Sequence, residues 1–202
     1  MTAAKIVLNV GGSGKHIPLP PQYEGWRHVL LDIDARSSPD IVHDARQLGS
    51  LPTAQYDAVY CSHNLEHYYP HDVPKVLAGF RHVLRGDGFV HILVPDIASV
   101  MRIVVEKDLD IAEVLYQSQT GPVTVRDVIY GYAPEIEQSG NDFYAHKTGF
   151  TRKSLAAELS VAGFRAVFVS AGDLEIRAIA FPTGPTPYAT QLFGLPPYRA
   201  PG

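Results

Sequence analysis

The sequence predicts a single α/β domain built on a mostly parallel sheet. Apolar stretches rich in β-branched residues recur along the chain, and they are continuous rather than alternating, which is typical of strands buried on both faces. Stretches with helical periodicity separate several of them, as in βαβ units. The length of 202 residues, 46% of them hydrophobic, is enough for one domain with a substantial core.

The elements follow from these patterns in chain order. Asp72–Leu84 carries an apolar stripe at helical spacing, and Thr151–Ala162 begins with an N-cap threonine and is followed by Gly163, so both are predicted as helices. The predicted strands are Lys5–Val10, His28–Ile33, Asp40–Val42, Asp57–Cys61, Gly88–Val94, Phe164–Ser170 and Leu174–Phe181.

Two stretches depart from this alternation. Residues 97–144 form a long excursion, with helices expected at Ile97–Lys107 and near Asp110–Gln119, and segments of this length often act as lids or binding loops. Residues 182–202 are rich in proline, which predicts an extended arm without regular structure. The single domain is therefore expected to span residues 1–181.

Composition excludes several classes of protein. Seventeen basic residues against 21 acidic ones do not indicate a face that binds nucleic acid. The single cysteine, Cys61, excludes an internal disulfide and suits a reducing compartment. No apolar run approaches the roughly 20 residues of a membrane span. We therefore expect a cytoplasmic protein with no membrane or nucleic-acid partner.

A glycine-rich loop, Asn9–Gly14, directly follows the first predicted strand. A Walker A loop would need glycine where Asn9 stands and Ser or Thr where His16 stands. A dinucleotide fingerprint beginning at Gly12 would need a third glycine where Ile17 stands. Three closely spaced prolines follow, so no helix dipole awaits a diphosphate. The loop suits a ligand that needs backbone contacts but carries no diphosphate.

Two acids complete the candidate nucleoside site. Asp32 ends the second strand, 18 positions after Gly14, where a carboxylate can accept both ribose hydroxyls. Asp44 follows the short third strand and could meet an adenine amino group. The alternative is that Asp32 and Asp34 only solvate a loop, but coupled to the glycine loop ribose binding is the better interpretation.

Further motifs follow in a fixed order along the chain. Together with the loop and the two acids they are Tyr56-Asp57-Ala58-Val59, Leu65-Glu66-His67, the Phe80–Gly88 stretch, Val94-Pro95-Asp96, His146–Thr151 and Ala162-Gly163-Phe164. In this order they resemble the class I S-adenosylmethionine-dependent methyltransferases, particularly small bacterial ones. The resemblance covers most of residues 5–181.

The resemblance implies a Rossmann-like sheet of order 3-2-1-4-5-7-6 with the last-inserted strand antiparallel. It implies methyl transfer from S-adenosylmethionine to a small-molecule or glycan acceptor. The chain departs from the family at Asn9 and in its short, helix-free first crossover, so a domain that binds the cofactor without turnover is the alternative. The expected cofactor-binding residues are Asn9, Gly11, Gly12, Ser13, Gly14, Asp32, Ile33, Asp44, Ala45, Ser62 and His63.

Histidines supply the candidate catalytic groups. His63 follows the fourth strand at the edge where parallel sheets bind ligands, and we hypothesise that it is a general base. His67 and His146 are the other candidates, although Glu66 and His67 could simply tie the loop together. A lid over the substrate is expected from Tyr130, Tyr132, Asn141, Tyr144 and His146.

Ser62–His67 also contains H-x-x-E-H, a zinc-protease signature. On a helix, His63 and His67 would share one face, with Glu106 or Glu113 as a third ligand. Pro70, however, ends any such helix quickly. We therefore predict no metal site and keep a zinc hydrolase as the rival hypothesis.

Overall fold

The computed structural model describes residues 4–118 and 121–199, and a seven-stranded sheet runs through its centre. Its strands are β1 (Ile6–Val10), β2 (Arg27–Asp32), β3 (Ile41–Val42), β4 (Tyr56–Ser62), β5 (Leu84–Pro95), β8 (Ala166–Gly172) and β9 (Glu175–Phe181). The order is β3-β2-β1-β4-β5-β9-β8. The pairs from β3 to β5 are parallel, and β9 runs antiparallel to both of its neighbours. The predicted fold class is confirmed.

The excursion contributes a hairpin of its own, β6 (Val114–Ser118) with β7 (Gly121–Thr124). The prediction of a helix near Asp110–Gln119 is wrong, because Val114–Ser118 gains its backbone hydrogen bonds from a partner strand instead. The two hairpin strands precede the last two strands of the sheet in sequence and are counted as β6 and β7. The observed order therefore ends in 9-8, where the predicted order 3-2-1-4-5-7-6 ends in 7-6. Residue 119, at the end of that predicted helix, lies outside the described residues. Residue 201, in the proline-rich tail, does so as well.

Six α-helices flank these strands in the described ranges. The apolar stripe of α1 is fully buried, as its spacing predicts: Val76, Leu77 and Phe80 are all 0% exposed. They pack in the main core with Leu155 of α5, on one face of the sheet. The helices are α1 (Val73–Val83), α2 (Ile97–Lys107), α3 (Val125–Tyr130), α4 (Ala133–Ser139), α5 (Arg152–Val161) and α6 (Pro187–Phe193).

The proline-rich tail contains helix α6, which the sequence prediction excluded. Pro187 occupies the first turn, where a missing N–H costs nothing, and the Thr186 hydroxyl accepts a bond from the Ala189 amide over 3.1 Å. Phe193 packs with Tyr23 in the second core cluster. The tail thus covers a face of the sheet where the first crossover supplies only a short 3-10 turn, Pro21–Tyr23.

The excursion returns to the sheet beside the end of β4. The amides of Lys147 and Thr148 both donate to the carbonyl of Glu66, over 2.8 and 3.1 Å. This attachment places residues 135–147 next to the loop that follows β4. Within the described residues, no helix has the length and apolar character needed to cross a membrane.

Candidate active site

The loops after β1, β2 and β4 meet at the carboxyl edge of the sheet. These three strands are adjacent and parallel, so their carboxyl ends point in the same direction. The amide of Gly11 donates to the carbonyl of Leu31 over 2.8 Å, which ties the glycine turn to β2. The edge is therefore a joint surface of all three loops.

Gly11 occupies a position that only glycine fits. Its φ is +69°, and an added Cβ would lie 2.1 Å from Nδ2 of Asn64. The Asn64 side chain, held by the Tyr68 hydroxyl over 3.2 Å, fills this space from the β4 loop. The close approach of these two loops fixes the floor of the cleft.

Asn9 supports the turn from beneath. Its side chain is 3% exposed, and its Nδ2 lies 3.2 Å from Nε2 of His28. An added Cβ at Gly12 would lie 2.1 Å from the same Nδ2. Asn9 and Gly12 therefore shape the turn by packing against each other and do not line the cleft.

Asp32 bridges the glycine turn and the loop after β2. Its Oδ2 accepts a hydrogen bond from the amide of Ser13 over 3.3 Å, and its Oδ1 accepts one from the amide of Asp34 over 2.9 Å. A carboxylate has about four acceptor sites, so capacity remains for a ligand. The two motifs that the sequence predicts to form one nucleoside site therefore lie within hydrogen-bonding distance.

Asp34 anchors the end of the excursion. Its Oδ2 accepts bonds from Nε of Arg36 over 2.8 Å and from the Tyr144 hydroxyl over 3.2 Å. The Arg36 guanidinium, together with the Arg36 amide, lowers the pKa of Asp34 to about 2. Asp34 is thus ionised at any working pH and can hold both partners.

Asp44 is engaged by Arg46 on both oxygens. Its Oδ1 accepts from the Arg46 amide over 2.9 Å, and its Oδ2 lies 2.6 Å from Nη2 of the guanidinium. Burial alone would raise the pKa of Asp44, but these bonds outweigh it and lower the pKa. The carboxylate lines the cleft as an ionised acceptor, while the neighbouring Ala45 is 2% exposed and packs in the core.

The cleft at this edge has a volume of about 470 Å³, which suits a small-molecule ligand. Of the predicted cofactor-binding residues, it is lined by Gly11, Ser13, Asp32, Ile33, Asp44 and His63. The others lie beneath or beside it: Asn9, Gly12, Gly14, Ala45 and Ser62. Of the lid candidates, only Tyr144 lines it; Tyr130, Tyr132, Asn141 and His146 do not.

His63 lines the cleft between two carboxylates. Its Nε2 lies 2.8 Å from Oε2 of Glu175, and its Nδ1 lies 3.6 Å from Oε1 of Glu66. Burial lowers the pKa of His63, but these two carboxylates outweigh it and raise the pKa to about 10. A protonated imidazole has no lone pair for a proton, so the hypothesis that His63 acts as the general base does not fit this arrangement.

His67 and His146 form an edge-to-face pair with ring centroids 4.9 Å apart. Nδ1 of His67 lies 3.1 Å from the carbonyl oxygen of Ala145, and Nδ1 of His146 lies 2.9 Å from that of Val128. His67 reaches the cleft, whereas the His146 side chain is only 13% exposed and packs behind it. Burial lowers the pKa of His146, which leaves that ring neutral at pH 7.

The zinc-hydrolase hypothesis lacks the helix it requires. His63 has a φ of +47° and precedes a three-residue 3-10 helix, Leu65–His67, so His63 and His67 do not share a helical face. Neither Glu106 nor Glu113 joins them. Among the described residues, the group of side chains close enough to share an ion is Glu66, His67 and His146.

Comparisons with known proteins identify the domain. A sequence model described as a methyltransferase domain matches residues 11–92, which contain the glycine turn and both acids. A SAM-dependent methyltransferase of known structure from Archaeoglobus fulgidus has a TM-score of 0.56 over 88% of this chain and 86% of its own, with 18% identity. Residues 11–92 thus match a methyltransferase domain, and the chain has the fold of a solved SAM-dependent methyltransferase.

Other solved structures share the fold of this chain. The PH0226 protein from Pyrococcus horikoshii has a TM-score of 0.54 over 90% of this chain and 84% of its own, with 16% identity. The 1,6-didemethyltoxoflavin-N1-methyltransferase from Burkholderia thailandensis has a TM-score of 0.50 over 88% of this chain and 70% of its own, with 20% identity. A search of curated proteins finds no match to the sequence.

The sequence analysis did not identify several of the residues that line the cleft. Asn64 directly follows His63, and Arg46 lies two residues after Asp44 in an Asx-type turn, a spacing that could have indicated the pairing. Phe143 belongs to the excursion and Lys147 follows it, and no local pattern places either residue at the cleft. The remaining lining residues are Asp34, Arg36, Ser37, His67, Tyr68, Tyr69, Asp72, Glu135, Asp142 and Tyr144.

Proposed function

We propose that this methyltransferase binds S-adenosylmethionine in the cleft and transfers its methyl group to a small-molecule or glycan acceptor. The observation that carries the proposal is the 3.3 Å contact between the Ser13 amide and the Asp32 carboxylate, which joins the glycine turn to the acid. A backbone turn beside a carboxylate, without a helix dipole, suits a nucleoside that carries no phosphate.

The nucleoside half of the cofactor is assigned to the β2 and β3 side of the cleft. Asp32 would accept the ribose hydroxyls, because both of its oxygens are already oriented by backbone amides. Ile33 is 38% exposed and offers an apolar surface for the adenine ring. Asp44, ionised beside Arg46, would accept from the exocyclic amine.

The charge of the cleft favours a cationic cofactor. Its lining carries six carboxylates against two arginines, one lysine and His63, whose pKa is raised. A sulfonium is attracted by such an excess of negative charge, whereas the phosphates of a nucleic acid are repelled. This charge balance supports a small neutral or cationic acceptor over a polynucleotide.

The transfer is an in-line displacement at carbon. An acceptor lone pair attacks the methyl group, the carbon–sulfur bond breaks, and its electron pair returns to sulfur to give S-adenosylhomocysteine. The protein contributes mainly positioning and exclusion of water. The excursion supplies both, because Phe143 and Tyr144 line the cleft opposite the sheet edge.

The acceptor class rests on the size and lining of the cleft. A volume of about 470 Å³ leaves room for a small group beside the cofactor, and Tyr69 and Phe143 offer aromatic faces to it. The toxoflavin enzyme named above was solved with a small acceptor and S-adenosylhomocysteine bound. We also place the reaction in the cytoplasm, which the single buried thiol of Cys61 supports.

Calorimetric titration with S-adenosylmethionine and S-adenosylhomocysteine tests the cofactor site. Asp32→Ala is expected to weaken binding by at least about 1.5 kcal/mol, or about tenfold, the scale of hydrogen bonds to a charged group. Asp87→Ala is the matched control, since Asp87 is exposed near the amino end of β5, at the opposite edge of the sheet. An unchanged dissociation constant for Asp32→Ala would reject the ribose role.

Product analysis tests the turnover itself. Incubation with S-adenosylmethionine and a panel of small hydroxyl, amine and saccharide acceptors should release S-adenosylhomocysteine with at least one of them. Tight cofactor binding with no release from any acceptor class would favour the alternative of a binding domain.

A further inference from the structure

Glu66 is a buried carboxylate whose contact with the His63 imidazole is long, 3.6 Å from Oε1 to Nδ1. The residue is 1% exposed, and within residues 4–118 and 121–199 neither of its carboxylate oxygens has a hydrogen-bond donor. An ionised carboxylate without donors is costly in a protein interior. Its carboxylate atoms lie among three imidazoles instead, those of His63, His67 and His146.

Each of these imidazoles has one ring nitrogen held by an oxygen outside the group. Nδ1 of His146 meets the Val128 carbonyl at 2.9 Å, and Nδ1 of His67 meets the Ala145 carbonyl at 3.1 Å. Nε2 of His63 meets the Glu175 carboxylate at 2.8 Å. Outer oxygens of this kind fix the tautomer and orientation of histidines that ligate metals.

Two of the remaining nitrogens lie near the Glu66 carboxylate, and the third lies near the backbone of His63. Nε2 of His146 lies 4.0 Å from Oε1 of Glu66, and Nδ1 of His63 lies 3.6 Å from the same atom. Nε2 of His67 lies 3.1 Å from the carbonyl oxygen of His63. One ligand atom each from Glu66, His67 and His146 falls within 4.8 Å of the others.

We propose that Glu66, His67 and His146 bind a divalent transition-metal ion of the zinc class at the β4 side of the cleft. Two imidazoles and one carboxylate suit Zn²⁺, Co²⁺ or Fe²⁺, whereas Mg²⁺ and Ca²⁺ prefer oxygen ligands. Around a tetrahedral ion with bonds of about 2.0–2.2 Å, ligand atoms are roughly 3.3–3.6 Å apart. The ligand atoms lie within 4.8 Å of one another, so the group would contract by up to about 1.5 Å to hold an ion.

This site differs from the one that the H-x-x-E-H motif predicts. The motif assigns both imidazoles to the local sequence, with the glutamate as a base. In the fold, the second imidazole comes from His146, 80 residues away, and Glu66 itself becomes a ligand. His63 stands next to the site, and its carbonyl oxygen, 3.1 Å from Nε2 of His67, is within reach as a fourth ligand.

The ion would face the cleft through His67, which lines it. This inference rests on the proposed function, in which the cleft also holds the methyl acceptor. The ion would then lie beside the acceptor. A divalent ion bound there would lower the pKa of a coordinated acceptor hydroxyl, so that its proton could pass to solvent water. The acceptor class is then an alcohol or phenol that can reach the ion.

Metal analysis of the full chain tests the site without any assay of turnover. Protein treated with a chelator and then dialysed against Zn²⁺ should retain one ion per chain after gel filtration. Isothermal titration should show that Glu66→Gln and His146→Gln each weaken Zn²⁺ binding by at least about tenfold to a hundredfold. Mg²⁺ should compete poorly in the same titration.

His71→Gln is the matched control. This histidine lies four residues after His67, its side chain is 73% exposed, and it is not part of the group. Its replacement should leave Zn²⁺ affinity within about twofold. If His71→Gln removes the binding, the ion is held at the surface and the proposal is wrong.

Two further readouts guard against variants that fail to fold. Zn²⁺ should raise the melting temperature of the wild-type chain by mass action, and a folded Glu66→Gln chain should lose this shift. Co²⁺ bound to the wild-type chain should give the visible absorption of a low-coordinate site. Failure of the wild-type chain to retain stoichiometric Zn²⁺ overturns the proposal, and titration of the same metal-free protein with S-adenosylmethionine reports separately on the cofactor site.

Discussion

The Tyr144 hydroxyl donates a hydrogen bond to Oδ2 of Asp34 over 3.2 Å, which joins the end of the excursion to the loop after β2. Both residues line the cleft. The bond spans 110 positions in sequence, and it connects the lid segment to the side of the cleft that holds Asp32. The Tyr144 phenol and the ionised Asp34 carboxylate therefore hold the end of the excursion against this side of the cleft.

We expect Tyr144→Phe to weaken cofactor binding with little effect on stability. The change removes one hydrogen bond to a partly exposed charged group, worth about 0.5–1.5 kcal/mol, or a twofold to tenfold loss of affinity. Titration with S-adenosylhomocysteine measures it. Tyr130→Phe, at a tyrosine that is 58% exposed on the same excursion and does not line the cleft, is the control. Equal affinities for both variants would contradict a lid role for Tyr144.

Gly11→Ala should damage both the fold and the cofactor site. A Cβ at this position meets Asn64 at 2.1 Å and sits on a backbone with φ +69°, so a cost of about 1–3 kcal/mol is expected. Chemical denaturation and cofactor titration report the two effects. Gly49→Ala, where an added Cβ meets nothing within 4 Å, should be close to neutral in both measurements.

Stability should fall below pH 6.5 in a way that depends on His91. The residue is 3% exposed, burial lowers its pKa to about 3, and the unfolded value is about 6.5. The unfolded chain therefore binds more protons between these values, so stability rises with pH across that window. Between pH 7 and pH 5 this linkage amounts to about 2 kcal/mol.

Denaturation of the wild-type chain and of His91→Gln at pH 7 and pH 5 isolates this effect. The variant loses the titrating group, so the difference in stability between the two proteins should shrink by about 2 kcal/mol at the lower pH. His71→Gln, at an exposed histidine, should follow the wild-type slope. Parallel pH profiles for wild type and His91→Gln would show that His91 does not titrate as described.

The docked tail should contribute measurably to stability. Phe193 is 9% exposed, and its ring centroid lies 5.1 Å from that of Phe89 and 5.2 Å from that of His91. Phe193→Ala is expected to cost about 3 kcal/mol by denaturation, as for other buried phenylalanines. Gln191→Ala, on the exposed side of the same helix, should change stability by less than about 0.5 kcal/mol. Equal stabilities would mean that the tail does not cover the sheet.

Sequence patterns predicted the sheet class because buried parallel strands and amphipathic helices have local signatures. The apolar runs fall on β1, β2, β4 and β5, and Ile97–Lys107 matches α2 residue for residue. Patterns failed where pairing or docking decides the structure. Val114–Ser118 is a strand only because Gly121–Thr124 lies beside it. The tail forms α6, and its apolar side chains are buried against a face of the sheet that an α-helix of the first crossover could have covered.

For the site, the residue order alone determined that Gly11 and Asp32 lie at one edge of the sheet, since parallel strands bring their carboxyl ends together. Only the tertiary structure decided which side chains face that edge and in what state. His63 contacts the carboxylate of Glu175, which is 112 positions away in sequence. Glu66 lies near His146, which is 80 residues away. Electrostatic contacts of this range leave no periodic trace in a sequence, because they depend on where the folded chain brings charges together.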